Sequence, residues 1–252
     1  MSNFLFEDYS ISAERELTLL LGKVTHHIHP DIVSVIQEEN KRFKQTFEKY
    51  CSPKLELESF FYENSDCVFP GFRRPVNFEK NDSWKNKVYA VDGTILNDNT
   101  FPRHIWAFLS TDRPYSGGSN GMWESSGLGK FELAHVFSHK QDERRSEEKL
   151  FKKVDISKKP YGHFTSASNV VLIPKGYAKP TDSMLAIKAC FFKRHIDLYG
   201  TNMYGLSGLD DLKIPSWYGD VDWLEPKLPI DWREKISNLL KYRSEYLKRK
   251  YA

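Results

Sequence analysis

The sequence predicts an α+β fold, and three observations carry that prediction. Apolar residues recur at three- and four-residue spacing over 11–51 and again over 232–252. Two short β-prone runs, FELAH at 131–135 and NVVLIP at 169–174, stand apart from those helical segments. A further helical stretch, TDSMLAIKACFFKRHIDLYG at 181–200, follows the second run closely. The expected order is an N-terminal helical hairpin, a central mixed region and a C-terminal basic helix. All of it is read as a single domain over 1–252, with 1–51 as a helical lobe.

Each element has its own signal. ERELTLLLGKVTHHI and DIVSVIQEENKRFKQTFEKYC read as two helices broken at His29-Pro30-Asp31, with Pro30 near the first turn of the second. Residues 52–80 are irregular and aromatic, punctuated by Pro53, Pro70, Gly71 and Pro75. NKVYAVDGTILN at 86–97 reads as strand, Asp92-Gly93 turn and strand. PRHIWAFLS at 102–110 is another apolar stretch, and the glycine-rich 112–130 segment reads as a mobile loop. KQDERRSEEKLFKK at 140–153 reads as an exposed helix or loop. Thr181 is the expected cap of the 181–200 helix and Gly200 its stop. Residues 208–232 form an aromatic, proline-rich wrap before the final helix.

Composition narrows the function classes. No apolar run approaches the roughly 18 residues a bilayer span needs. MSNFLFEDYS has no basic stretch followed by an apolar one, so no secretion signal is expected and the cytoplasm is the expected location. Cys51, Cys67 and Cys190 are far apart and make no CxxC pair, which argues against a zinc ribbon or a disulfide framework. The net charge is only +3, but it is unevenly placed. Residues 140–160 carry eight Lys/Arg against five Asp/Glu, and 231–252 carry seven against three. Both segments are compatible with phosphate contact.

The strongest pointer to chemistry is FELAHVFSHK at 131–140, followed after 34 residues by SNVVLIPKGYAKPTD, counted from His135 to Asn169. A histidine on one strand, an asparagine opening the next, and a helix soon after resemble the HNH, or ββα-metal, endonuclease superfamily. The resemblance covers about a fifth of the chain, residues 130–182, within a ββα-metal-like element at 130–200. It implies that His135 is the general base that deprotonates the attacking water. It also implies that Asn169 ties the hairpin together, and that a divalent metal, Mg²⁺ or Mn²⁺, assists at the phosphate. Imidazole suits the base role because its pKa lies near neutrality.

The sequence departs from the family at both usual ligand positions. Ala134 precedes the base, and Ala178 stands nine residues after Asn169. Replacement ligands are sought at Glu132, His139 and Asp182. Glu132 would need a bulge in the strand to join His135, and His139 a turn after Phe137. His195, between Arg194 and Asp197, reads as a surface ion-pair residue. Lys140, Arg144, Arg145, Lys175, Lys179 and Arg103 are the candidate nucleic-acid contacts. The expected function is a DNA endonuclease, of restriction or phage-defence type, acting on double-stranded DNA; a homodimer is compatible with it. The alternative is a catalytically degenerate HNH-like module that binds nucleic acid or a protein without cutting.

Rival motifs are weaker. His26 and His29 in HHIHP would share a helical face and could hold a transition metal, but no HExxH carboxylate accompanies them. GMWESSGLGK fails the phosphate-loop pattern at Glu124 and Phe131. Asp112-Arg113-Pro114 lacks a spaced (E/D)xK partner.

Overall fold

Proline at a first helical position costs no hydrogen bond, because that N–H has no acceptor within the helix. The chain uses it so: α1 covers Phe4–Val24 and α2 covers Pro30–Tyr50. The Asp31 amide donates to His29 Nδ1 at 3.1 Å and closes the turn between them. The connection is itself structural, since His26 and Leu172 exchange backbone hydrogen bonds of 2.9 and 3.1 Å. A computed structural model describes residues 4–50, 65–69, 72–73, 95–96, 100–118, 121–138, 145–151, 164–200 and 212–251.

The remaining elements, in order, are β1 (Phe72–Arg73), β2 (Ile95–Leu96), α3 (Thr100–Thr111), α4 (Met122–Ser125), β3 (Phe131–His135), β4 (Val170–Pro174), α5 (Lys179–Ser183), α6 (Leu185–Tyr199) and α7 (Trp232–Tyr251). The fold is α+β. β1 and β2 pair in parallel, whereas β3 and β4 form an antiparallel pair from Phe131↔Pro174 to His135↔Val170. Of the 86–97 hairpin read from the sequence, the first strand and the Asp92-Gly93 turn lie outside the described residues. Ile95–Leu96 pairs with 72–73.

Among the described residues three apolar clusters share the β3–β4 pair, and the two largest lie on opposite faces of it. Strand residues alternate between faces, so Leu133 points one way and Ala134 the other. On one face Val170, with Leu133 packed beside the same cluster, joins Ile32, Val33 and Ile36 of α2, Ile105 and Phe108 of α3, and Ile236 and Leu239 of α7. On the other, Ala134, Val171 and Ile173 pack with Ile187, Phe191 and Phe192 of α6 and with Leu21 of α1. α1 packs on α6 and β4, whereas α2 packs mainly on α7 and to a lesser extent on α6.

Several local expectations change. The apolar run at 102–110 is helix, because Phe101, Ile105, Phe108 and Leu109 recur at helical spacing and are all buried. The glycine-rich 112–130 segment is organised into α4 and a 3₁₀ turn at Leu128–Lys130. Buried Trp123 anchors it, and the Trp123 amide donates to Ser116 O at 3.4 Å. The 181–200 helix is two helices, broken at Met184, whose backbone is extended (φ −94°, ψ 111°). Thr181 lies inside α5 and its hydroxyl donates to Ala178 O at 2.7 Å, so it caps nothing. Gly200 does end α6, in the left-handed conformation (φ +57°) that glycine adopts without steric cost. The 140–153 segment is not wholly exposed, since Glu147, Leu150 and Phe151 are buried. No described helix is long and apolar enough to cross a membrane.

Candidate functional site

β3 ends at His135, and the register places it opposite Val170, the first residue of β4. His135 shares its face with Leu133, away from α6. There its Nε2–H donates to Phe164 O at 3.0 Å, and its ring stacks on Phe164 (centroids 5.5 Å, 16°). A carbonyl can only accept, so this bond fixes the proton on Nε2 in the neutral ring and makes Nδ1 the lone-pair nitrogen.

Asn169, fully buried, clamps the chain just after the histidine. Its Oδ1 accepts from Phe137 N–H at 2.6 Å, and its Nδ2 donates to Phe137 O at 3.0 Å. Val136 N–H donates to Asn169 O at 2.9 Å, which extends the pairing by one residue. One side chain thus satisfies both backbone groups of a buried residue that has left the sheet.

Immediately beyond, Ser138 meets a buried ion pair. Lys188 Nζ of α6 donates to Glu147 at 2.8 Å and to Ser138 Oγ at 3.3 Å, while Ser138 N–H donates to Glu147 at 3.1 Å. Glu147 and Lys188 are 0% and 2% exposed.

The metal positions behave differently. Ala134 is buried in the core built with α6, and Ala178 packs, half-buried, against that same core. A methyl group offers no atom that could coordinate a metal. β3 pairs residue for residue with β4, so the bulge that would bring Glu132 round to His135 is absent, and Glu132 lies on the opposite face. Asp182 is exposed on α5. Among the described residues no group of three His, Cys, Asp or Glu side chains can hold a metal. The described residues therefore do not fit the divalent cation that the resemblance implies. His139 lies outside them.

Of the candidate nucleic-acid contacts, Lys140 and Arg144 also lie outside the described residues, and Lys179 opens α5. Arg145 is exposed, and Lys175 is exposed with Glu124 at 3.6 Å. Arg103 is committed to packing. Its guanidinium lies over the rings of Tyr115 (5.2 Å) and Trp123 (5.6 Å) and donates to Tyr115 Oη at 2.8 Å.

Sequence reasoning also misplaced His195. It is fully buried, edge-on to Phe137 (4.8 Å) and Tyr199 (4.9 Å). His27 is buried against Phe191 and Trp223, with Arg194, His195 and His26 as its charged or titratable neighbours. His104 is buried among Phe69, Phe101, Tyr115 and Tyr242, and its Nδ1 accepts from Tyr115 N–H at 2.9 Å. Burial pushes His27 and His195 down to about 3 and His104 down to about 4, from 6.5. The unfolded chain then takes up protons below pH 6.5 that the folded chain refuses, so stability is full above 6.5 and falls toward pH 3–4. At pH 5 each histidine contributes a loss of about 2 kcal/mol. The expected result is a Tm lower by roughly 10–20 °C at pH 5 than at pH 7.5. Thermal melts at both pH values check it, and an unchanged Tm would show these rings to be accessible to protons in the fold.

Asp66 and Phe164 were not singled out by any sequence signal, yet both hold the segment around His135. Asp66 sits in the irregular aromatic stretch and Phe164 outside any motif. No family model, curated protein or solved structure matches the chain.

Proposed function

We propose that this chain acts on DNA as an HNH-like endonuclease, with His135 as the base that activates water for phosphodiester hydrolysis. The observation that supports it most is the paired restraint at the end of β3. Phe164 O fixes the imidazole's tautomer, and Asn169 pins the backbone two residues on. A base must present a lone pair in a fixed direction, and this arrangement supplies direction without charging the ring. Exposed Arg145 and Lys175 favour a polyanionic substrate. A restriction or phage-defence role on double-stranded DNA is the biological setting proposed.

The packing of Ala134 and Ala178 into the α6 core favours a second reading, in which the same scaffold binds nucleic acid and does not cut it. Nicking of supercoiled plasmid with Mg²⁺ or Mn²⁺ separates the two. Under the endonuclease reading the wild type nicks, and His135→Ala is slower by about 100-fold or more. Equal nicking by the variant overturns the role of His135. Absence of nicking with either metal, together with DNA affinity that falls steeply with salt, establishes the non-cutting reading.

A further inference from the structure

We infer that Asp66 is a positioning residue for His135, acting through the segment that joins Phe164 to Asn169; the inference rests on the reading of His135 as the base. Phe164 and Asn169 are the two ends of one short stretch, and both ends act at the site: the first accepts from the imidazole, the second clamps Phe137. What fixes the stretch between them is Asp66, 1% exposed. Its carboxylate accepts from the Ser166 hydroxyl and, at 2.5 Å, from Ser168 N–H. Its carbonyl accepts from Ala167 N–H at 3.2 Å. Three successive residues are thus bound by one.

The neighbours of Asp66 reinforce the same stretch. Val68 N–H donates to Thr165 O at 2.8 Å, and the Thr165 hydroxyl donates to Phe69 O at 2.9 Å. The 65–67 backbone is in turn held from α2, where Asn40 Nδ2 donates to Ser65 O and Cys67 O at 2.8 and 2.9 Å. Asn40 is oriented by Arg243 of α7, whose guanidinium donates to its Oδ1 at 2.7 Å. A buried hydrogen-bonded network therefore runs from α7 through α2 and the 65–69 backbone to residues 165–168, which follow Phe164 directly in the chain. Burying a carboxylate is costly unless charge-assisted bonds compensate it. Here those bonds are made to the segment carrying the acceptor of His135, so the site gains its rigidity from them.

The consequence is specific. Without the Asp66 carboxylate, residues 166–168 lose two donors' partners, the Phe164 carbonyl is no longer fixed, and the imidazole samples both neutral tautomers. ¹⁵N-resolved NMR of the histidine rings in the full chain reads this directly. Wild type is expected to hold His135 almost wholly as the Nε2–H tautomer. Asp66→Ala is expected to give a mixture, with nicking slower by about 100-fold through kcat and little change in KM. Asp66→Asn can still accept from Ser168 and reach Ser166, and is expected to restore both readouts to within a few-fold. Should Asp66→Ala lose its cooperative melt, Ser166→Ala removes one of the same bonds, and its tautomer ratio decides. A folded Asp66→Ala, or that Ser166→Ala, with the wild-type tautomer ratio overturns the inference. Wild type that never nicks overturns the endonuclease reading, and the tautomer measurement still judges Asp66.

Discussion

Replacing Lys188 with methionine while leaving Glu147 in place is expected to destabilise the fold by about 3–5 kcal/mol. The Glu147 carboxylate has no exposed surface, and Lys188 sits in the same buried spot at 2.8 Å. Removing the ammonium takes the cation at 2.8 Å from a carboxylate held away from water, to which Ser138 N–H still donates. The pair also joins three parts of the chain: the residue following the β3 exit, the 145–151 segment, and α6. Its loss therefore loosens the packing that closes the core behind the candidate base. The double variant Lys188→Met with Glu147→Leu is expected to recover part of the loss, since no charge is then buried. It cannot recover all of it, because Ser138 N–H loses its acceptor. Urea unfolding of the three variants measures these differences. A single variant within about 1 kcal/mol of wild type would mean that water reaches the pair.

The long helices α1, α2 and α7 and the β3–β4 pair were legible in the sequence because their signals are local. The apolar periodicity of α1, α2 and α7, the proline at the start of α2 and the glycine after α6 need no distant partner. The same holds for His135 and Asn169, which a strand pattern and a following helix pick out. What could not be read depends on contacts across long stretches of chain. The Phe164 carbonyl that His135 meets stands 29 residues away, and Ser166 meets Asp66 across 100. Lys188 sits in an apolar helical run, LAIKACFF, and Glu147 in a charged one, so neither neighbourhood marks a buried pair. The split at Met184 was invisible because a continuous helical period runs through it, and tertiary packing decided otherwise. The glycine-rich loop looked unstructured because its order comes from Arg103 stacking on Tyr115 and Trp123, which composition does not encode.

Asn169→Ala should cost about 2–4 kcal/mol of stability and more than 10-fold in any nicking that depends on His135. The side chain makes two bonds to one residue, Phe137, which is fully buried and stacked on Phe192 at 4.3 Å. Alanine leaves an N–H and a C=O of that residue without this partner in a place water does not reach, and each such group costs about 1–3 kcal/mol. Asn169→Asp refines the argument, because a carboxylate can still accept from Phe137 N–H but cannot donate to Phe137 O. Its expected loss is therefore comparable to that of alanine, with repulsion between two acceptors replacing the missing bond. His135→Ala provides the contrast. It removes a half-buried ring together with its bond to Phe164 O, so its stability loss should be the smaller while its activity loss is the larger. Chemical denaturation set beside nicking rates for the three variants tests both halves. If Asn169→Ala melts like wild type, the clamp on Phe137 is not what holds the strand exit, and the positioning of His135 must come from the Phe164 side alone.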